Sequence, residues 1–285
     1  GVANSLAFRL RNENHPPMRW VLACCLVLAV ALPPLHGARA ADPVALPAVD
    51  LALGLVSDVS RSIDPSEFDL QKQGYFAAFT DRRVVAAIQG GALGAIAVSY
   101  VEFAAAGDVA TVLGWTVIRD AASARAFAER LRAAPRSASG RTSISAGLRQ
   151  GLAELAALRS EAGRRVIDVC GDGTNNNGED VAAVRDEAVE GGITINGLAI
   201  INDHPVSWNF AHVQPPGGLA NYYRAEVTGG PGSFVLEVHA FADFGAAMTR
   251  KLISEIAALP HPAGRVALTA AGDGATLPGQ IPQQE

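Results

Sequence analysis

Cysteine is scarce. The chain of 285 residues holds three, and two of them, Cys24 and Cys25, fall in an apolar run near its start. From Met18 the text reads MRWVLACCLVLAVALPPLHGARA: a basic residue, a long apolar stretch and a small-residue ending, Ala38-Arg39-Ala40. That is the layout of a secretory signal peptide cut between Ala40 and Ala41. The expectation is therefore a leader over residues 1–40, with the residues before Met18 as upstream sequence or a misplaced start. Cleavage would leave Cys170 as the sole cysteine, which excludes an internal disulfide and leaves stability to the core. A lipoprotein site is excluded as well, because the apolar stretch follows Cys24 and Cys25 instead of preceding them. The apolar run from Trp20 to Leu35 is short for a membrane span and contains Pro33-Pro34. The reading is an exported chain, periplasmic or secreted, with no stable membrane anchor after cleavage.

Runs of Lys or Arg are also missing, and the net charge is only −5. A nucleic-acid surface needs concentrated positive charge, so that class is set aside. No internal repeat is visible, and residues 260–285, rich in Pro, Gly and Ala, lack sustained periodicity and read as a flexible tail. One domain is expected over residues 41–259.

What is present is alternation. Strand-like apolar runs at 49–56, 94–103, 109–118, 164–171, 192–200 and 232–241 are interleaved with segments of helical period. Asp64, Pro65 and Glu67 have the spacing of a capping box, opening a helix that sends Phe68, Leu70, Tyr75 and Phe79 to the core. Asp120 caps a helix carrying Ala126, Phe127 and Leu131. The runs at 94–103 and 109–118 are close enough to pair as a hairpin. The fold class that follows is α/β: a doubly wound, mostly parallel sheet with one antiparallel edge strand and helices on both faces. Ligands of such sheets bind beyond the carboxyl ends of the strands.

Two acidic breaks fall at those ends, Asp58 after LALGLVS and Asp172 after VIDVCG. Asp58 is followed by Ser60 and Ser62 at alternate positions, and SGRTSIS sets Thr142 just before a helix. All five groups offer oxygen. No imidazole or thiolate is correctly placed, so the chemistry suits Mg²⁺ or Mn²⁺ and disfavours zinc. Hydroxyl ligands are neutral, so two carboxylates and three hydroxyls leave such an ion seeking a further carboxylate from outside.

The ordered set Asp58-x-Ser60-x-Ser62, Thr142 and Asp172 resembles the metal-ion-dependent adhesion site of von Willebrand factor type A domains. The segments GRTSISAGL and VIDVCGDG match as well, and the resemblance spans residues 49–258. Within that superfamily DVSRSID, VIDVCGDGTNNNG, ANYYRAEVTGGPGSFV and KLISEI resemble a bacterial group of exported proteins classed as a domain of unknown function. The resemblance implies that Ser60, Ser62 and, with ligand bound, Thr142 touch the metal directly, while Asp58 and Asp172 act largely through water. It also implies a non-enzymatic protein that binds a protein ligand bearing an exposed Asp or Glu. Cys170 departs from the family, where a small hydroxyl residue is more usual.

Other readings compete. Singly, the serines suit turns and Thr142 suits a helix cap. GDGTNN resembles the metal motif of haloacid-dehalogenase-type phosphatases, but the second acid those enzymes need is Ser60 here and the terminal one is Asn176. A calcium loop in DGTNNNGED has its glycine one place late and ends at Ala183 instead of Glu. A structural domain with a vestigial site is the third alternative. His204, His212 and His239 are scattered and form no evident zinc site. Asn175 to Asn177 suit either support for the site or a turn. Finally, residues 202–223 leave the fifth strand at the metal edge, and Trp208, Phe210, Tyr222 and Tyr223 are the candidate aromatic contacts for a partner, with about half of them expected in the core.

Overall fold

The computed structural model describes residues 46–201 and 215–258. The expected leader, Trp208, Phe210 and the expected tail lie outside the described residues.

The central strand β1 (Val49–Asp58) is buried on both faces except at Asp50. It pairs in parallel with β2 (Ile96–Phe103) on one side and β4 (Ala162–Gly171) on the other. β3 (Val109–Ile118) pairs antiparallel with β2 as the hairpin expected, and the register shifts around Tyr100. β5 (Thr194–Ile200) and β6 (Val235–Val238) extend the sheet in parallel, giving six strands in the order β3-β2-β1-β4-β5-β6.

Side-chain alternation along β1 feeds two cores. Leu51, Leu53 and Leu55 join Tyr75, Phe79, Phe127, Phe244 and Leu252 on one face. Those side chains come from α1 (Pro65–Thr80), α3 (Ala121–Ala133) and α7 (Phe244–Ala257). Ala52 and Val56 join Ile144, Leu148, Val184 and Tyr223 on the other. There the cover is α4 (Ile144–Ala157), α5 (Val181–Glu190) and the short α6 (Leu219–Tyr222), which runs on into a π-helical turn, Tyr223–Val227.

The expected capping box at Asp64 and the expected cap at Asp120 both form. Asp64 Oδ1 accepts from the Ser66 and Glu67 amides at 2.7 and 2.9 Å, and Glu67 returns an acceptor to the Asp64 amide. Asp120 does the same for α3 with Ser123 in place of Glu. One expected core position is corrected. Leu70 lies on the outer face of α1; on α3, Ala126 faces outward while Ala124 and Ala128 face inward. A helical period of 3.6 places them there once Phe68, Tyr75 and Phe127 fix each inward stripe. A further helix, α2 (Arg82–Gln89), follows α1 directly through an Asp81 cap.

α4 lies unusually close to the sheet because it presents glycine. A methyl group at Gly147 would stand 2.7 Å from Phe103 Cδ1 and 2.8 Å from Val56 Cγ1. This approach brings the amino end of α4, with Thr142 just ahead of it, over the carboxyl end of β1.

Candidate metal site at the crest of the sheet

β1 connects toward β2 and β3, whereas β4 connects toward β5 and β6. The strand order therefore reverses between β1 and β4, and a crevice opens at their carboxyl ends. Asp58 ends β1, and Asp172 follows the last residue of β4.

All five expected site residues converge there in one hydrogen-bonded chain. The Ser60 amide donates to Asp58 Oδ1 at 2.7 Å. The Ser60 and Ser62 hydroxyls are 2.9 Å apart, and Thr142 Oγ1 donates to Ser60 Oγ at 3.1 Å. Ser62 Oγ donates to Asp172 Oδ1 at 2.9 Å. Asp58, Ser60, Thr142 and Asp172 are buried and Ser62 is half-buried. Thr142 is not the helix cap. That role belongs to Ser143, whose hydroxyl accepts from the Ala146 amide, so the threonine hydroxyl is left to the cluster.

The spacing of the hydroxyls tests what the cluster can hold. Oxygens at about 2.0–2.1 Å from an octahedral ion, at right angles to one another, stand roughly 2.9 Å apart. The Ser60–Ser62 and Ser60–Thr142 separations, 2.9 and 3.1 Å, have that length. Calcium–oxygen bonds of about 2.3–2.6 Å would require the hydroxyls to spread. Among the described residues no three or more His, Cys, Asp or Glu side chains come together as a metal group. The donors gathered here are two carboxylates and three hydroxyls, a hard, oxygen-only set.

Three neighbours hold the loops in place. Arg136 reaches beneath the first loop and donates to the carbonyls of Val59, Ser60 and Ile63, and to Ala138. Burial pulls the Arg136 pKa down, opposed by Asp58, Glu102, Asp172 and Asp64, so its charge sits within the field of the cluster. Glu102 accepts from buried Lys72 and from the Ser137 amide, each at 2.8 Å, and so anchors the segment leading to Thr142. The asparagine run ties the third loop to the second. Asn176 and Thr142 exchange two bonds through their backbones and the Asn176 side chain, Asn175 Oδ1 accepts from the Ser145 amide, and Asn177 Oδ1 accepts from the Ala106 amide.

The two adjacent tyrosines differ. Tyr222 is half-buried at the rim, and its hydroxyl accepts from the Asn175 amide at 3.1 Å. Tyr223 is wholly buried and points beneath the site, so it offers no surface to a partner. His239 lies after β6, two strands beyond β4. Cys170 is buried on the face opposite Tyr223, near Gln71. Sequence reading did not find Arg136, because an arginine in a loop gives no signal that it will meet backbone carbonyls of another loop.

This fold, with the five-residue cluster at its switch point, is that of a von Willebrand factor type A-like domain. The chain belongs to the family described as Protein of unknown function (DUF1194), whose model matches residues 48–260. Among solved structures it is similar to proximal thread matrix protein 1 of the mussel byssus, with a TM-score of 0.52 and 14% identity, over 74% of this chain and 48% of that one. Another structure of that mussel protein is described as having a zinc-occupied MIDAS motif. The pilus adhesin SpaC from Lactobacillus rhamnosus GG matches with a TM-score of 0.51 and 16% identity, over 73% of this chain and 31% of that one. A von Willebrand factor type A protein from Catenulispora acidiphila gives 0.51 and 14%, over 73% and 43%. At these identities the likeness shows the fold alone, and this chain spans less than half the length of each. No curated protein matches.

Proposed function

We propose that the domain holds one divalent cation, Mg²⁺ or Mn²⁺, at the crest of its sheet and uses it to bind a carboxylate of a protein partner. Ser60, Ser62 and Thr142 would hold the ion directly, with Asp58 and Asp172 acting through water. The observation that carries this reading is the continuous chain of contacts from Asp58 through Ser60 to Thr142, and through Ser62 to Asp172. Neutral hydroxyls leave part of the ion's charge uncompensated, and an incoming Asp or Glu supplies what is missing. The mussel protein with an occupied MIDAS motif and the pilus adhesin lend the reading analogy.

The protein on this reading is a non-enzymatic, exported binding domain. Among the described residues no helix is long and apolar enough to cross a membrane. Tyr222 borders the site on its exposed side, and Trp208 and Phe210 belong to the segment leading up to it.

Calorimetric titration of Mg²⁺, Mn²⁺ and Ca²⁺ into metal-stripped protein tests the proposal. Saturable one-site binding, lost in Asp58→Ala and Asp172→Ala while circular dichroism stays native, is the expected result. No response to any of the three ions would overturn it in favour of a vestigial site. Phosphatase activity abolished by Asp58→Asn would replace it with an enzyme.

A further inference from the structure

The segment ANYYRAEV contains two adjacent tyrosines, and the metal reading leaves Tyr223 without a task. Tyr223 begins the π-helical turn, a local form that frequently marks functional positions. Its ring enters the core against Gly197, where a methyl group would meet Tyr223 Cδ1 at 2.8 Å. The hydroxyl is fully buried and has no hydrogen-bond partner among the described residues. A buried phenol without a partner is uncommon, since its O–H has given up water for nothing.

That hydroxyl lies close to the metal site. A methyl group at Gly171 would lie 2.7 Å from Tyr223 Oη and 3.0 Å from Asp58 Oδ2. The phenol and the carboxylate thus border the same small space, left open because residue 171 has no side chain. Asp58 Oδ1, the other oxygen, accepts from the Ser60 amide. We propose that Tyr223 is a positioning residue of the metal site: its O–H, which borders the same space as Asp58 Oδ2, turns to donate to Asp58 on that side when the metal is bound. Together with the Ser60 amide on Oδ1, this fixes the plane of the carboxylate that orders the metal's water. Gly171 is the residue that permits the approach. The inference rests on the metal reading above and assigns to that site a group supplied from below, by the element that follows residues 202–221.

Groups that orient the ligands of a metal typically change its affinity by about 10–100-fold when removed. Tyr223→Phe keeps the ring and deletes only the O–H. The expected result is a Kd for Mg²⁺ raised about tenfold or more, with the melting temperature of the metal-free protein not lowered. Mg²⁺ absorbs no near-ultraviolet light, so a tyrosine difference band on its addition reports the phenol itself. That band should appear in the wild-type protein and in Tyr222→Phe, and vanish in Tyr223→Phe. Gly171→Ala, which fills the shared space, should weaken Mg²⁺ binding in the same sense.

Wild-type affinity and an unchanged difference band in Tyr223→Phe would overturn the proposal. So would a variant whose metal-free form melts early and whose loss of Mg²⁺ merely follows unfolding, since the tyrosine would then be structural. Mg²⁺ binding lost in Asp58→Ala and kept in Tyr223→Phe sinks the tyrosine's role alone. Absence of binding in the wild-type protein defeats the metal reading and this inference with it.

Discussion

The Ser62 hydroxyl donates to Asp172 Oδ1 at 2.9 Å, joining residues 110 positions apart in the chain. A bound cation would add a second link across the same seam, and the unfolded chain has no such arrangement to offer it. Mg²⁺ at about 100 times its Kd should therefore stabilise the fold by about 2.7 kcal/mol. For a domain of this size that is a rise in melting temperature of roughly 5–10 °C. Scanning calorimetry with and without Mg²⁺ measures it, and Asp172→Ala should show no rise.

Arg136 ties its guanidinium to three carbonyls of the loop that carries Ser60 and Ser62. Arg136→Ala should cost about 2–3 kcal/mol in denaturant unfolding, since it deletes charge-assisted bonds and leaves the Ser60 carbonyl only the Ile63 amide. Arg136→Lys should recover little. One ammonium cannot reproduce a planar fork that serves several acceptors at once.

Lys251, wholly buried on α7, sits 2.8 Å from Asp168 on β4 and 2.6 Å from Glu255, whose carboxylate also accepts from Asn196 on β5. Burial and the charge of Glu255 push the Asp168 pKa up from 3.8 to about 7, against the pull of Lys251. For Lys251 burial is outweighed by the two carboxylates, and its pKa is raised. A raised carboxyl means that folding takes up a proton. The associated stability is complete below the unfolded value near 3.8 and is lost as pH rises through about 7. Urea unfolding between pH 4 and pH 7 should show stability from this group falling by on the order of 1 kcal/mol per pH unit. Asp168→Asn should flatten that slope.

Gly147→Ala should destabilise by about 1–3 kcal/mol, because its methyl group would overlap the Phe103 ring and Val56. The displacement of α4 carries Thr142 with it, so metal affinity should fall in the same variant. Substituting Gly107, where a side chain meets nothing within 4 Å, is the control and should leave both unchanged.

The order of elements was legible because β1 and β4 end in abrupt polar breaks after long apolar runs, and because Asp64 and Asp120 are strong caps. The β2–β3 hairpin was legible from its short connection. Helix α2 was not. RRVVAAIQ is eight residues long and abuts α1 without a loop, so its period merges with what precedes it. Leu70 was misplaced for a related reason: apolar character alone does not say which side of a helix faces inward. For the site, the five oxygen-bearing residues announced themselves at strand ends. Their support did not. Arg136 acts on backbone atoms, and Gly171 acts by what it lacks, so both become visible only when distant segments are brought together in space.

The sheet also determines how the domain would carry a load. Val49 at the start of β1 and Ala257 at the end of α7 border one groove, on the edge opposite Asp58. A partner held at the crest and pulled away from that edge would draw along the length of β1. Because β1 lies in parallel between β2 and β4, its hydrogen bonds to both neighbours run crosswise to such a pull. They would be sheared together and not opened one after another. A pull along that path would meet its resistance in the two parallel ladders of the central strand.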